Sequence, residues 1–176
     1  MNCQSNKNNT IIQLDKVQPL QKFRPLLESF ELKLDIKKVT DNEYTLINTI
    51  ELENDSYVVS PFSKDKIYGH FTVSIEENDY IFLEESIIEF PETVEKYDPI
   101  IEEKVRFVRE NTIYNQNIKL KRTGDFEVRA LTWFLLEPQC VPLDVEYIIS
   151  YRDGKMEINQ KKITISEDYK GDYKLK

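Results

Sequence analysis

Few residues in this sequence could do chemistry, and they are widely spaced. There are two cysteines, Cys3 and Cys140, and one histidine, His70. A Cys/His zinc site needs about four ligands, which this chain cannot supply, and a Cys–His nucleophilic pair would have to use His70. Cys140 lies in Glu137-Pro138-Gln139-Cys140-Val141-Pro142, with no Lys, Arg or His within several residues and with Glu137 and Asp144 near. Negative neighbours raise a thiol pKa and argue against activation, and a cysteine is also a small hydrophobe that buries readily. His70 has no serine or carboxylate paired with it by motif, so it reads as a structural strand histidine. Residues 84–103 hold Glu84, Glu85, Glu89, Glu92, Glu95, Asp98, Glu102 and Glu103 around Pro91 and Pro99. They lack the D-x-[DN]-x-[DN]-G pattern of a calcium loop and read as a solvated acidic surface. Paired carboxylates could serve glycoside chemistry, but nothing singles out a pair. With 4 Gly there is neither a GxGxxG nor a GxxxxGK[ST] motif. No metal site and no cofactor are expected.

Two classes of partner follow from charge and hydropathy. The net charge of −8 repels phosphate backbones, so no nucleic-acid partner is expected. No run of 18 apolar residues is present, so no transmembrane segment is expected. The polar stretch Gln4-Ser5-Asn6-Lys7-Asn8-Asn9-Thr10 that follows Cys3 resembles the mature end of a bacterial lipoprotein, where an acylated cysteine precedes a flexible tether. That resemblance implies a lipid anchor through Cys3 and a periplasmic or outer-envelope location. The alternative is a polar N-terminus that happens to contain a cysteine.

The elements that must position these groups read as strands. The 176 residues include a single alanine, Ala130, among many Ile, Val, Thr, Tyr and Phe. Alanine favours helices, and β-branched and aromatic residues favour strands. Phe30, Leu32, Leu34 and Ile36 alternate with Glu31, Lys33, Asp35 and Lys37, the period of a half-buried strand. Further strands are expected at Tyr44–Leu52, Tyr57–Val59, Gly69–Ile75, Tyr80–Leu83, Val105–Arg109, Thr112–Lys121, Phe126–Phe134, Asp144–Arg152 and Lys155–Ser166. Asp41-Asn42, Asn78-Asp79 and Asp153-Gly154 mark turns, and residues 84–104 read as a long connection over the surface. Short strands at this spacing predict an all-β, immunoglobulin-like antiparallel β-sandwich. The expected organisation is a tether and lead-in over 1–29, the sandwich over 30–166 and a charged tail over 167–176.

The stretch Phe126 to Phe134, followed by Leu135-Leu136-Glu137-Pro138-Gln139-Cys140-Val141-Pro142-Leu143, resembles the N-terminal periplasmic domain of the thiol:disulfide interchange protein DsbD. In that family a late strand ends in a cysteine, five residues follow, and a second cysteine comes with a proline close behind. Cys140 matches the second cysteine and Pro142 the proline. Phe134 stands where the first cysteine belongs. Asn54-Asp55-Ser56-Tyr57-Val58-Val59-Ser60 looks like the family's cap segment, with Asp55 and Tyr57 in it, and Phe62 is a second aromatic that such a cap could use.

The resemblance implies an immunoglobulin-like fold and a partner that is thioredoxin-like or another envelope protein, met through Asp55, Tyr57, Phe134 and Pro142. It makes Cys140 the candidate redox thiol. Yet a dithiol reductant attacks with one thiolate and resolves the mixed disulfide with a second thiol. Phe134 can do neither, and Cys3 could resolve it only if the N-terminus folded back. A lipidated Cys3, being a thioether, could not. The expectation is therefore a partner-binding module related to disulfide reduction but without the cysteine pair that a thiol:disulfide oxidoreductase would need. The alternatives are a structural or adhesion-type β-sandwich lipoprotein with no redox role, or a hydrolase using converging carboxylates.

Overall fold

The alternation that begins at Phe30 lays down an edge strand, β1 (Phe30–Lys38), with Phe30 and Leu32 buried and Glu31 and Lys33 in solvent. In this computed structural model, which describes residues 28–166, eleven more strands follow: β2 (Glu43–Leu52), β3 (Val58–Val59), β4 (Thr72–Ile75), β5 (Ile81–Phe90), β6 (Lys96–Asp98), β7 (Glu103–Val105), β8 (Phe107–Val108), β9 (Thr112–Leu120), β10 (Phe126–Leu136), β11 (Val141–Arg152) and β12 (Lys155–Ile165). Among the described residues there is no helix. Residues 1–27, including Cys3, and the tail 167–176 lie outside the described residues.

The strands build two four-stranded sheets, β1-β2-β9-β5 and β12-β11-β10-β4, and two small ribbons, β3-β8 and β6-β7. All strand pairs are antiparallel. The architecture is an all-β, immunoglobulin-like sandwich. Its two sheets face each other across Leu32, Ile50, Phe71, Tyr114, Phe134, Leu143 and Val145 at one end. Leu46, Ile118, Val128, Tyr147 and Ile149 fill the other. Phe71 stacks on Tyr114 with ring centroids 4.0 Å apart, and Phe134 lies against Phe71 at 5.9 Å and against Phe30 at 5.3 Å. Inward-facing aromatics of this size bury the largest apolar areas a core can offer.

Two segments depart from the sequence-based expectation. Residues 84–90 belong to β5 and are not part of a connection. Here the polar/apolar order is inverted: Glu89 is buried while Ile88 and Phe90 are 63% and 68% exposed. A strand whose alternation runs backwards carries no hydrophobic signal, and a register shift between Leu83 and Ile87 weakens the pattern further. The rest of the acidic stretch folds into the β6-β7 ribbon. The strand expected from Gly69 begins at Thr72, because the chain at His70 first runs beside Val59 in a parallel bridge, with Phe71 N–H donating to Val59 O at 2.8 Å.

Candidate functional site

Cys140 sits in the turn between β10 and β11. Glu137, at the start of that turn, is 3% exposed, its peptide bond to Pro138 is cis, and Cys140 has φ +52°. The turn is pinned from outside the sheet. Tyr57 N–H donates to Glu137 O at 2.9 Å, and Glu137 N–H donates to Tyr57 O at 2.9 Å. This two-way bridge sets the segment that the sequence marks as a cap against the cysteine turn. The Cys140 sulfur lies 3.3 Å from Glu137 Oε2. That sulfur is held in a disulfide. Burial pushes the Glu137 carboxyl above its ordinary range, opposed by a hydrogen bond from the Cys140 main-chain N–H.

An aromatic cluster covers the bridge. The Tyr57 ring meets Phe107 of β8 edge-on at 5.1 Å, and Tyr68 meets Phe107 edge-on at 5.3 Å. The Arg109 guanidinium lies 3.9 Å from the Tyr57 ring centroid, a cation–π contact at an exposed rim. Tyr68 donates its hydroxyl hydrogen to Asp98 Oδ2 at 3.1 Å. Its phenol is held well above the ordinary range by burial and by that carboxylate.

The loop that brings Tyr68 here is organised by Asp65, whose side chain is fully buried. Asp65 Oδ2 accepts from Ser63 Oγ at 2.6 Å and lies 3.1 Å from His70 Nε2, while Oδ1 accepts from the N–H groups of Ile67 and Tyr68. Burial alone would raise the Asp65 pKa. The hydrogen bonds from His70, Ser63 and Tyr68 outweigh it and bring the group down to about 2. Ser63 and His70 both bond the same carboxylate oxygen, so the histidine does not stand between serine and aspartate as a general base would. The trio is a loop clamp.

The sequence-predicted residues separate. Tyr57 is half-buried at the corner beside Glu137. Asp55 is exposed in the Asn54-Asp55 turn at φ +59°. Pro142 is buried and accepts Ser166 N–H through its carbonyl at 3.0 Å. Phe134 is wholly buried in the core, which corrects its expected place on a partner-binding surface: it faces the opposite sheet and a docked protein would not touch it. Trp133, on the other face of β10, is 4% exposed, roofed by Gly69. Phe62 is 40% exposed and lines a groove between β4 and β5. Cys3 lies outside the described residues.

Tyr68, Phe107 and Arg109 are corner residues that sequence reasoning did not mark, and Asp98 and Glu137 stood there only as acidic neighbours. They come from four separate stretches, and no local spacing joins them. Most acidic residues of 84–98 are engaged locally: Glu84 with Lys119 and Asn117, Glu89 with Thr93 N–H, Glu92 with Arg106, Glu95 with Lys104, and Asp98 with Tyr68 and Ile100 N–H. Among the described residues no three Asp, Glu, His or Cys side chains converge as metal ligands would. No helix among them is long and apolar enough to cross a membrane.

The chain is similar to the crystal structure of the Neisseria meningitidis DsbD N-terminal domain in the reduced form, with a TM-score of 0.46 and 12% identity, over 79% of this chain and 97% of that one. No family model and no curated protein matches the sequence.

Proposed function

We propose that this protein is an extracytoplasmic partner-binding module whose docking site is the corner formed by Tyr57, Tyr68, Phe107, Arg109 and the Glu137–Cys140 turn. One observation carries the reading: the reciprocal main-chain bridge between Tyr57 and Glu137, which holds an aromatic and cationic cap directly over the turn that presents Cys140. Rigid aromatic side chains beside an arginine are the residue types that dominate protein–protein recognition. The partner is a thioredoxin-like or other envelope protein, and Cys140 is the residue through which any thiol–disulfide step would pass. With Phe134 in the core, a cysteine pair of the DsbD spacing is not formed at this site.

The test is an amide-shift titration of the full chain with a purified thioredoxin. Saturable shifts at Tyr57, Arg109 and Glu137 are expected, weakened by Arg109→Ala and retained in Cys140→Ser. The absence of saturable shifts at this corner would overturn the proposal. Binding that maps instead to the exposed β6-β7 ribbon, at Tyr97 and Ile100, would favour a structural or adhesion-type sandwich.

A further inference from the structure

The flank of the sandwich opposite β1 and β12 is open. On the β1/β12 side the two sheets are tied together, with Lys161 Nζ donating to Leu32 O at 2.8 Å. On the other side β4 and β5 diverge around a groove of about 830 Å³, lined by Phe71, Val73, Ile75, Leu83, Ile87 and Gln116.

Three of the four sheet edges carry devices that discourage another strand. β1 holds Lys33, Lys37 and Lys38, β12 holds Lys155, Lys161 and Lys162, and β5 is broken by its irregularity between Leu83 and Ile87. Charged residues and bulges of this kind are how proteins blunt their edges. β4, Thr72-Val73-Ser74-Ile75, has none of these. Its hydrogen-bonding direction follows from its two ends. Glu76 N–H donates to Arg129 O, toward β10, and Phe71 N–H donates to Val59 O, away from it. In an antiparallel ladder this direction alternates residue by residue. Val73 and Ile75 therefore present their main-chain N–H and C=O groups to the open flank, where no strand covers them among the described residues.

A second, independent feature points into the same groove. Gln116 on β9 faces inward and is 7% exposed. Its Nε2 donates to Glu84 O, while its Oε1 is buried without a hydrogen-bond partner. A buried acceptor left unmatched costs free energy that a donor entering the groove would recover. The rim is acidic: Glu76, Glu77, Glu84 and Glu85 surround the groove against Lys121. Glu77 and Glu85 have no ion-pair partner among the described residues.

We infer that the β4 edge is a second binding surface, distinct from the Tyr57–Glu137 corner, which accepts an extended cationic polypeptide segment as an added strand. The incoming main chain pairs with Val73 and Ile75. Alternate apolar side chains enter between the sheets, and one polar hydrogen reaches Gln116 Oε1. Lysines or arginines on the other positions face Glu77 and Glu85. This is strand addition, in which main-chain bonds give affinity and alternating side chains give selectivity.

The probe is a fluorescent, end-blocked Lys-Val-Lys-Val-Lys-Val peptide, titrated onto the full chain by anisotropy and by amide shifts. Saturable binding with shifts at Val73 and Ile75 is expected. N-methylation of alternate peptide bonds in the probe, which removes its ladder donors and leaves the protein untouched, is expected to weaken binding by about tenfold or more. Charge reversal at the exposed positions, Glu77→Lys with Glu85→Lys, is expected to weaken it as well. Equal binding of the N-methylated probe, shifts confined to other surfaces, or no saturation would each overturn the inference. So would Val73 and Ile75 amides already protected from exchange in the free chain, which would mean that a terminal segment or a second copy occupies the edge.

Discussion

Tyr57 and Glu137 exchange both of their main-chain hydrogen bonds, each at 2.9 Å, and this pair joins the segment before β3 to the β10–β11 turn. Because the pairing uses backbone atoms, it leaves the Tyr57 ring available for Phe107 and Arg109 and leaves the Glu137 carboxyl beneath the cap, beside the Cys140 sulfur.

That carboxyl is raised by burial, so ionising it opposes folding. The sign follows directly: a group whose folded pKa lies above its unfolded one favours the fold below the unfolded value, and this favour is lost as pH rises through the folded value. Glu137→Gln keeps an acceptor for the Cys140 N–H and removes the charge. Its melting temperature at neutral pH is expected to equal or exceed that of the parent, and the difference is expected to shrink below the ordinary glutamate range. A clear loss of stability at neutral pH would mean that the ionised carboxylate supports the turn.

Asp65 behaves in the opposite sense. With the folded pKa near 2 against an ordinary 3.8, the group favours the folded state above the unfolded value, and that stability is lost as pH falls from 3.8 toward 2. The side chain is fully buried, so the shift corresponds to about 2 kcal/mol at neutral pH. Asp65→Asn is expected to lose that amount in denaturant unfolding at pH 7 and to flatten the acid limb of the stability profile. An unchanged acid limb would show that the clamp of Ser63, His70 and Tyr68 does not depend on the charge.

Gly69 is the roof over Trp133. A Cβ at this position would overlap the indole ring and stand 3.3 Å from Leu135 Cβ. Neither the ring, in a buried slot, nor the strand can give way freely, so Gly69→Ala is expected to cost about 1–3 kcal/mol of stability. Denaturant unfolding with tryptophan fluorescence reads both the loss and the displaced ring, since Trp133 is the only tryptophan. Wild-type stability and an unshifted emission maximum would count against close packing here.

Cys140 carries a disulfide. Peptide mapping under non-reducing conditions is therefore expected to recover the Cys140 peptide joined to a second cysteine peptide, and reduction is expected to separate the two. Recovery of the Cys140 peptide alone, with its thiol open to alkylation before reduction, would overturn the expectation.

Much of the fold is legible from residue order. The alternation from Phe30 gives β1, Tyr44 through Leu52 gives β2, and Asp153-Gly154 gives the β11–β12 hairpin, because a strand with one face in the core must alternate and a two-residue turn needs positive φ, here +51° and +78°. β5 beyond Leu83 is not legible in the same way. Glu89 turns inward and Phe90 outward, held by β9 on one side and by the Thr93 N–H bond to Glu89 on the other, so tertiary pairing overrides the local pattern.

The same division holds for the site. By itself the sequence determined an all-β chain, its alternating strands and the Asp153-Gly154 hairpin, and the proline-flanked turn that holds Cys140, since each is a matter of residue type at a short spacing. The tertiary structure alone decided that Phe134 is core, that Trp133 is roofed by Gly69, and that Arg109, Phe107, Tyr68 and Asp98 gather over the Glu137 turn. Those contacts join residues far apart in the chain, and only the packing of one sheet on the other, with the loops it draws across its end, brings them within reach.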